Sequence, residues 1–182
     1  MLTAPTRLVG LTGFAGVGKD TAAAALAGWR RAAFADLLRT GLLALDPYIV
    51  SGFSSTRLSC LIAMHGWDGA KRDFPDVRRL MQRFGTEAGR DLHGADVWVD
   101  ALFRTVTPGE RVVIADVRFP NEYKAIRDRG GLIVRIVRPG IEAVNDHVSE
   151  HAIDGFVPDA IINNDGTVAE LHAKIREVVG SA

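Results

Sequence analysis

The chain has 182 residues, of which 47% are hydrophobic and 24% are charged. That is the size of one ordinary domain with enough apolar residues for a core, which excludes disordered, collagen-like and coiled-coil chains. Lys plus Arg and Asp plus Glu are 22 each, so the formal net charge is zero. A neutral chain has no general attraction to nucleic acid or to an anionic membrane. We therefore expect small molecules as partners, with no nucleic acid and no membrane, and leave a homodimer open.

The single cysteine and the N-terminal segment indicate the cellular compartment of the protein. Cys60 is the only cysteine, so neither an intrachain disulfide nor a cysteine-based zinc site can form. The apolar run at residues 8–11 is too short for a signal sequence or a membrane span. These features predict a cytoplasmic location.

Hydrophobic periodicity and chain breakers predict strands that alternate with helices. Strands are predicted at residues 7–12, 32–35, 111–116, 132–137 and 160–163. Helices are predicted at 20–29, 37–45 with Asp36 as cap, 77–90, 96–106, 121–129 and 168–179. Residues 48–76 are predicted as loops with one short helix at 59–65. Such an order indicates an α/β domain with a mostly parallel sheet covered on both faces, and ligands at the carboxyl ends of its strands.

A glycine-rich loop follows the first predicted strand. Gly13-x-x-x-x-Gly18-Lys19 stands between a strand and a helix, which is the context of a phosphate-binding loop. Its glycines let successive N–H groups point inward, and Lys19 would reach the β and γ phosphates. The residues predicted to contact the nucleotide are Gly13, Ala15, Gly16, Val17, Gly18, Lys19, Asp20 and Thr21.

Asp20 departs from the generic motif, which has Ser or Thr directly after the lysine. Here Thr21 comes second, and it is the candidate metal-facing hydroxyl. A carboxylate beside a triphosphate is repelled unless it faces a Mg²⁺-bound water, an arginine or the acceptor side of the site. Asp20 is therefore predicted to be functional.

Two residues near the end of the third predicted strand carry further charge. Asp116 ends a continuous apolar run and is a candidate to hold a Mg²⁺-bound water, with a helix N-cap as the alternative. Arg118 follows at the same edge of the sheet as the glycine loop. We expect Arg118 to contact phosphates there, across the first and third strands.

Four motifs in order are similar to those of the bacteriophage deoxynucleoside monophosphate kinases. They are GFAGVGKDT at 13–21, QRFGTE at 82–87 with Arg90 and Trp98, DVRFPNE at 116–122, and HVSE at 147–150. The resemblance spans nearly the whole chain. It implies a three-layer P-loop NTPase fold of one domain, residues 1–182, with a helical acceptor-binding insertion at about 36–106 and a short lid at about 138–158. It also implies transfer of the γ-phosphoryl group of ATP to a deoxynucleoside 5′-monophosphate, with Mg²⁺.

The resemblance assigns roles to further residues. It places Arg90 on the acceptor phosphate, with Gln82 and Glu87 as candidates for the base or sugar. We expect Arg118 to help Arg90 bind that acceptor phosphate. The loop that holds Asn164 and Gly166 resembles one that contacts the donor adenine, although a capping turn explains it nearly as well.

The lid segment 139–158 contains no Lys or Arg. Arg138 at its hinge is therefore expected to serve the phosphates alone or with His147. Because a nucleotide phosphate is already ionised at pH 7, no dedicated general base is required.

Three other readings stay open. The sequence H-x-x-E-H at 147–151 matches a zinc peptidase signature, but it leaves the glycine loop unexplained and needs a third ligand from the short remainder of the chain. A non-catalytic ATP-binding module would bind ATP without acceptor-dependent ADP release. A P-loop kinase for another small acceptor, such as a ribonucleotide or dephospho-coenzyme A, has the same fold, and fold alone does not separate them.

Overall fold

The computed structural model describes residues 7–141 and 155–180. Its strands are β1 Arg7–Thr12, β2 Arg30–Ala32, β3 Tyr48–Ser51, β4 Ser54–Arg57, β5 Arg111–Ile114, β6 Leu132–Val137 and β7 Ala160–Asn163. Its helices are α1 Lys19–Ala24, α2 Ala35–Leu45, α3 Leu58–Asp73, α4 Pro75–Arg83, α5 Asp91–His93, α6 Val97–Phe103, α7 Pro120–Arg127 and α8 Val168–Gly180. A π-helical segment, Phe84–Arg90, continues α4.

Contacts divide the chain into two compact units. The first comprises Met1–Phe34 with Leu102–Ala182, and the second comprises Ala35–Ala101. The single domain with an insertion at about 36–106 stays a prediction, because compactness alone does not define an independently folding domain. None of the helices within the described residues combines the length and hydropathy that a membrane span requires.

The first unit is built on a parallel sheet. Among the described residues its strand order is β2-β5-β1-β6-β7, and every neighbouring pair is parallel. From β1 the chain first builds β2 and β5 on one side, then β6 and β7 on the other. The predicted α/β class with a mostly parallel sheet is therefore confirmed. Ligands of such sheets bind beyond the carboxyl end of the strand where the order switches sides, which here is β1.

Alternation along β1 covers both faces of the sheet. Val9 and Leu11 join a buried cluster that includes Leu171 of α8. Gly10 points to the other face, where an added Cβ would lie 2.8 Å from Cδ1 of Ile126 in α7. Helices therefore pack on both sides of β1, as a three-layer arrangement requires.

Strand bounds in the first unit follow the sequence closely, while its first helix does not. The predictions for β1, β6 and β7 are confirmed residue for residue. The helix predicted at 20–29 ends at Ala24, because the N–H groups of Ala25 and Leu26 bond carbonyls three residues back and tighten the chain into a turn. That turn brings β2 in two residues earlier than predicted, at 30–32.

The second unit holds the part of the chain that the sequence predicted least well. Residues 48–57 form an antiparallel hairpin, and α3 runs to Asp73, so the prediction of loops with a short helix at 59–65 was wrong. Only Ile49 of the hairpin strands is buried, which hides the strand pattern. Gly66 has φ 63° and ψ 173° and breaks the helical geometry of α3 midway, which hides its length.

Two predictions about the helices of the second unit need correction. Asp36 does not cap α2 but lies in its first turn, where it accepts a hydrogen bond from Nη1 of Arg39 at 3.2 Å. The helix predicted at 77–90 changes to π-helical geometry at Phe84. Trp98 packs against that segment and donates from Nε1 to the Gly85 carbonyl at 2.8 Å, so this partly buried ring joins the apolar cluster of the second unit.

One carboxylate of the first unit joins three of its elements. Arg127 of α7 donates from Nη1 to both oxygens of Asp159 at 2.7 Å, and the Ile133 N–H of β6 donates to Oδ2 at 2.7 Å. Asp159 itself precedes β7. Burial alone would raise the pKa of Asp159, but these hydrogen bonds and the Arg127 charge hold that pKa below its ordinary value of 3.8. The charged form of Asp159 therefore stabilises the fold.

We predict that Asp159 makes the protein sensitive to acid. A carboxylate with a lowered folded-state pKa stabilises above its unfolded pKa, and the stabilisation is lost as pH falls through the folded value. Asp159→Asn should lower the free energy of unfolding at pH 7 by on the order of 1–3 kcal/mol and flatten its decline below about pH 4. Urea unfolding between pH 3 and 7 measures both effects, with the exposed Asp128→Asn as control. An acid decline as steep in Asp159→Asn as in the wild type would contradict this role.

Candidate nucleotide-binding site

The glycine loop, residues 13–18, leaves the carboxyl end of β1 and enters α1. Gly13, Gly16 and Gly18 have φ values of 134°, 82° and 100°, which side chains other than glycine rarely adopt. A Cβ on Gly13 would overlap the Ile136 carbonyl oxygen, whereas the space beside Gly16 is open. The glycines are therefore required by backbone shape, and they give the curved loop that the sequence predicted.

Lys19 carries the positive charge of this loop. Its Nζ donates to the carbonyl oxygens of Gly13 and Phe14, at 2.7 Å each, and the residue is only 8% exposed. The side chain thus reaches back across the loop from the first residue of α1. A buried ammonium held on the inside of a glycine loop is suited to bind phosphate oxygens.

Asp20 forms an ion pair with an arginine. Its Oδ1 accepts hydrogen bonds from Nε and Nη2 of Arg31, in β2, at 2.9 and 2.7 Å. The sequence predicted that Asp20 faces a Mg²⁺-bound water, an arginine or the acceptor side of the site, and the structure shows an arginine. Sequence reasoning did not single out Arg31, although the unexplained negative charge beside Lys19 was a signal that a cation must lie nearby. Thr21 follows in α1 and is half-buried.

Asn164 supports the glycine loop from the carboxyl end of β7. Its backbone N–H donates to Val137 at 2.7 Å, and its Nδ2 donates to the Val17 carbonyl at 2.8 Å. A Cβ on Gly18 would lie 2.7 Å from that Nδ2, so a glycine is needed for this close approach. Asn164 therefore lies against the loop, and its contact with an adenine stays a prediction.

The rest of the β7–α8 loop forms a helix cap. Thr167 donates to Oε2 of Glu170 from its N–H at 2.6 Å and its hydroxyl at 3.0 Å, and its Oγ1 accepts from the Glu170 N–H. These bonds lower the pKa of Glu170. The capping turn that the sequence left open is thus present beside Gly166.

Asp116 follows the neighbouring strand β5. Its Oδ1 accepts a hydrogen bond from the Phe34 N–H at 2.8 Å, so it links the chain segments that leave β5 and β2. The residue at the N-cap of α7 is Phe119, which excludes the alternative that Asp116 caps this helix. A role for Asp116 in holding a metal stays a prediction.

Arg118 lies on a backbone that a buried carboxylate holds. Oε2 of Glu122, which is 2% exposed, accepts from the Arg118 N–H at 2.8 Å and the Phe119 N–H at 3.0 Å. The half-buried Arg118 guanidinium makes no hydrogen bond or ion pair with the residues that the structure describes. Glu122 is a second residue that sequence reasoning gave no role, because Phe119 is not a usual N-cap residue and hides the capping box.

One further described candidate of the first unit lies near the end of β6. Arg138 is exposed and comes directly after that strand. His147 and the H-x-x-E-H sequence at 147–151 lie outside the described residues, so their predicted roles remain predictions. Within residues 7–141 and 155–180, no three or more His, Cys, Asp or Glu side chains group as a metal site would need.

The acceptor candidates belong to the second unit. Arg90 ends the π-helical segment, is half-buried, and places Nη1 3.5 Å from the Gly85 carbonyl. Gln82 is exposed on α4, and Glu87 accepts from Nε of Arg83 at 3.0 Å. A cleft of about 360 Å³ in this unit is lined by Glu87 but by neither Gln82 nor Arg90. The structure of this unit therefore does not bring the three candidates together in that cleft.

Known proteins similar to this chain agree with the motifs. The model of the family described as deoxynucleotide monophosphate kinase matches residues 68–175. A putative deoxynucleotide monophosphate kinase of Acanthamoeba polyphaga mimivirus is 30% identical over 193 residues, which cover 96% of this chain and 97% of that protein. That match extends over both units.

Two phage relatives match a shorter stretch. The deoxynucleotide monophosphate kinases of Escherichia phage RB69 and Enterobacteria phage T4 are 29% and 31% identical over 108 residues. Those matches cover 57% of this chain but only 44% and 45% of the phage proteins, so the chain spans less than half the length of these relatives in the matched region. The family model covers more than half of the chain, and a relative matches nearly all of it; the chain belongs to the deoxynucleotide monophosphate kinase family.

Proposed function

We propose that this protein is a kinase that transfers the γ-phosphoryl group of ATP to a deoxynucleoside 5′-monophosphate. The observation that carries the proposal is the glycine loop at the switch point of the sheet, with the Lys19 ammonium inside it. The names of the viral relatives favour a deoxynucleotide as the acceptor. A ribonucleotide kinase and a non-catalytic ATP-binding module are the outcomes that the test must separate.

The residues of the first unit fit a nucleoside triphosphate with Mg²⁺. Positive φ values at three glycines open the loop so that its N–H groups can donate to phosphate oxygens. The Thr21 hydroxyl and the Asp116 carboxylate are hard oxygen ligands of the kind that Mg²⁺ prefers. When bound, ATP supplies the phosphoryl group and Mg²⁺ neutralises negative charge on its oxygens.

The side chains contribute charge and position more than proton transfer. Lys19 places its ammonium on the phosphates, and Arg118 can bind a phosphate through two parallel N–H bonds. Glu122 holds the backbone of Arg118, and Asn164 holds the loop at Val17. Arg138 at the end of β6 adds a further positive charge. Because the acceptor phosphate is ionised at neutral pH, none of these residues needs to act as a general base.

The second unit supplies the acceptor-binding residues in this proposal. Arg90 binds the monophosphate, since its guanidinium matches a phosphate and it is half-buried at the end of the π-helical segment. Gln82 and Glu87 are proposed for the base or sugar. The exposed pair of Glu87 with Arg83 is compatible with this role, because such a pair contributes little to stability and can open at low cost.

We predict that ADP is produced from Mg-ATP only when a suitable acceptor is present. The panel contains the four deoxynucleoside monophosphates, their ribose counterparts and dephospho-coenzyme A, each as a separate acceptor. Lys19→Ala should lower turnover about 10²-fold or more, because it removes a charge that stabilises the transition state. Lys124→Ala is the matched control, since Lys124 is exposed and pairs only locally with Asp128.

The outcomes of this assay separate the candidate functions. Turnover with deoxynucleotides that is lost in Lys19→Ala supports the proposal. Turnover confined to ribonucleotides or dephospho-coenzyme A would show that the protein is a kinase whose acceptor is not a deoxynucleotide. ATP binding without any acceptor-dependent ADP would favour the non-catalytic module, and full activity of a folded Lys19→Ala would show that the loop is misassigned.

We predict that Glu122 acts on turnover through Arg118. Glu122→Gln keeps an oxygen that can accept the two N–H groups and should retain kcat/KM within about fivefold. Glu122→Leu leaves two partly buried N–H groups without their acceptor, a cost of up to about 1–3 kcal/mol, and should lower kcat/KM about 10-fold or more while lowering Tm. Steady-state kinetics on the folded fraction, with the unfolding midpoint of each variant, provide the measurement. Equal kcat/KM in the two variants would contradict the predicted role.

A further inference from the structure

The first turn of α1 places a negative charge beside the phosphate-binding lysine. Asp20 follows Lys19 directly, where the generic loop motif has a hydroxyl residue, and its side chain is 72% exposed. An uncompensated carboxylate at this place would repel a polyanionic nucleotide. The chain must therefore lower this repulsion if the loop is to bind a triphosphate.

Arg31 supplies the compensating charge from another part of the chain. Its Nε and Nη2 both donate to Oδ1 of Asp20, so the guanidinium is fixed against one oxygen of the carboxylate. Arg31 belongs to β2, eleven positions away in the sequence and outside the loop motif. The turn that ends α1 early, at Ala24, precedes β2 and leads the chain to this contact.

Because the pair of Arg31 and Asp20 is exposed, it can affect nucleotide binding while contributing little to stability. The side chains of Arg31 and Asp20 are 41% and 72% exposed, and ion pairs in such surroundings contribute little to the free energy of unfolding. A ligand with several negative charges nearby still responds to whether the carboxylate is neutralised. The pair is therefore better explained by ligand binding than by stability.

We propose that Arg31 is a positioning residue for the donor nucleotide, which neutralises and orients Asp20 so that the phosphate loop can carry a carboxylate next to Lys19. This inference rests on the proposed function, because it assumes that the loop binds ATP. It assigns Arg31 no contact with the nucleotide itself. Removal of Arg31 should therefore weaken ATP binding only while Asp20 keeps its charge.

The test is a double-mutant cycle in which calorimetry measures the Kd of each nucleotide. The proteins are the wild type, Arg31→Gln, Asp20→Asn and the double variant, with ATP and ADP as ligands at low and high salt. Arg31→Gln should weaken ATP binding roughly three- to tenfold at low salt, less for ADP, and less again at high salt. In the Asp20→Asn background the same substitution should change the ATP Kd by less than about twofold.

A matched control separates this pair from the loss of any surface arginine. Arg111→Gln removes an exposed arginine at the first residue of β5, which is at the opposite edge of the sheet from the glycine loop. It should leave ATP binding within about twofold of the wild type. The Tm of each nucleotide-free variant should stay close to the wild-type value, because a merely structural role of Arg31 would lower it.

Each remaining outcome overturns a specific claim. An Arg31→Gln penalty that is equal with and without the Asp20 charge, or equal for ATP and ADP at both salt concentrations, would overturn the inference. A wild type that binds no ATP overturns the proposed function and this inference together. Normal ATP binding and turnover by the wild type, with no coupling between Arg31 and Asp20, overturns this inference alone.

Discussion

The site depends on the parallel pairing of β1 with β5 on one side and β6 on the other. Because all strands of this sheet run in one direction, the segments that follow β1, β5, β6 and β7 leave it at the same edge. That single constraint places the glycine loop, Asp116, Arg138 and Asn164 at one edge, although they are far apart in the sequence. The order of strands then matters as much as their residues, since the loop follows the strand where the chain switches sides.

Hydrogen bonds between side chains and backbone groups fix the conformation of the segments at this edge. Lys19 closes the glycine loop on its own carbonyls, Asn164 holds it at Val17, and Glu122 holds the backbone of Arg118. Lys19 and Glu122 are charged and almost fully buried, so each would be costly without a partner. The bonds that satisfy these buried groups therefore also set the geometry of the site, which couples stability to binding in this unit.

The sequence was sufficient where the signal is local. The strands at 7–12, 132–137 and 160–163 are apolar runs between breakers, and the glycine loop is defined by its own residues and flanks. It was insufficient where the signal is spread over distant parts of the chain. The hairpin strands at 48–57 bury only Ile49, so no alternating pattern marks them. Arg31 and Glu122 become informative only when a strand or a turn brings them to Asp20 or to Arg118.

Asp20 shows why a short motif is not an independent unit. The chain has no excess positive charge, so attraction to phosphate must come from cations held near the loop. Replacing the hydroxyl after Lys19 by a carboxylate cancels part of that local charge. The pair with Arg31 restores it, but only because α1 is short and β2 begins early enough to bring Arg31 to Asp20. The loop can thus carry Asp20 because Arg31, in a strand outside the motif, neutralises it. The electrostatic potential at the loop therefore depends on the folded unit and not on residues 13–21 alone.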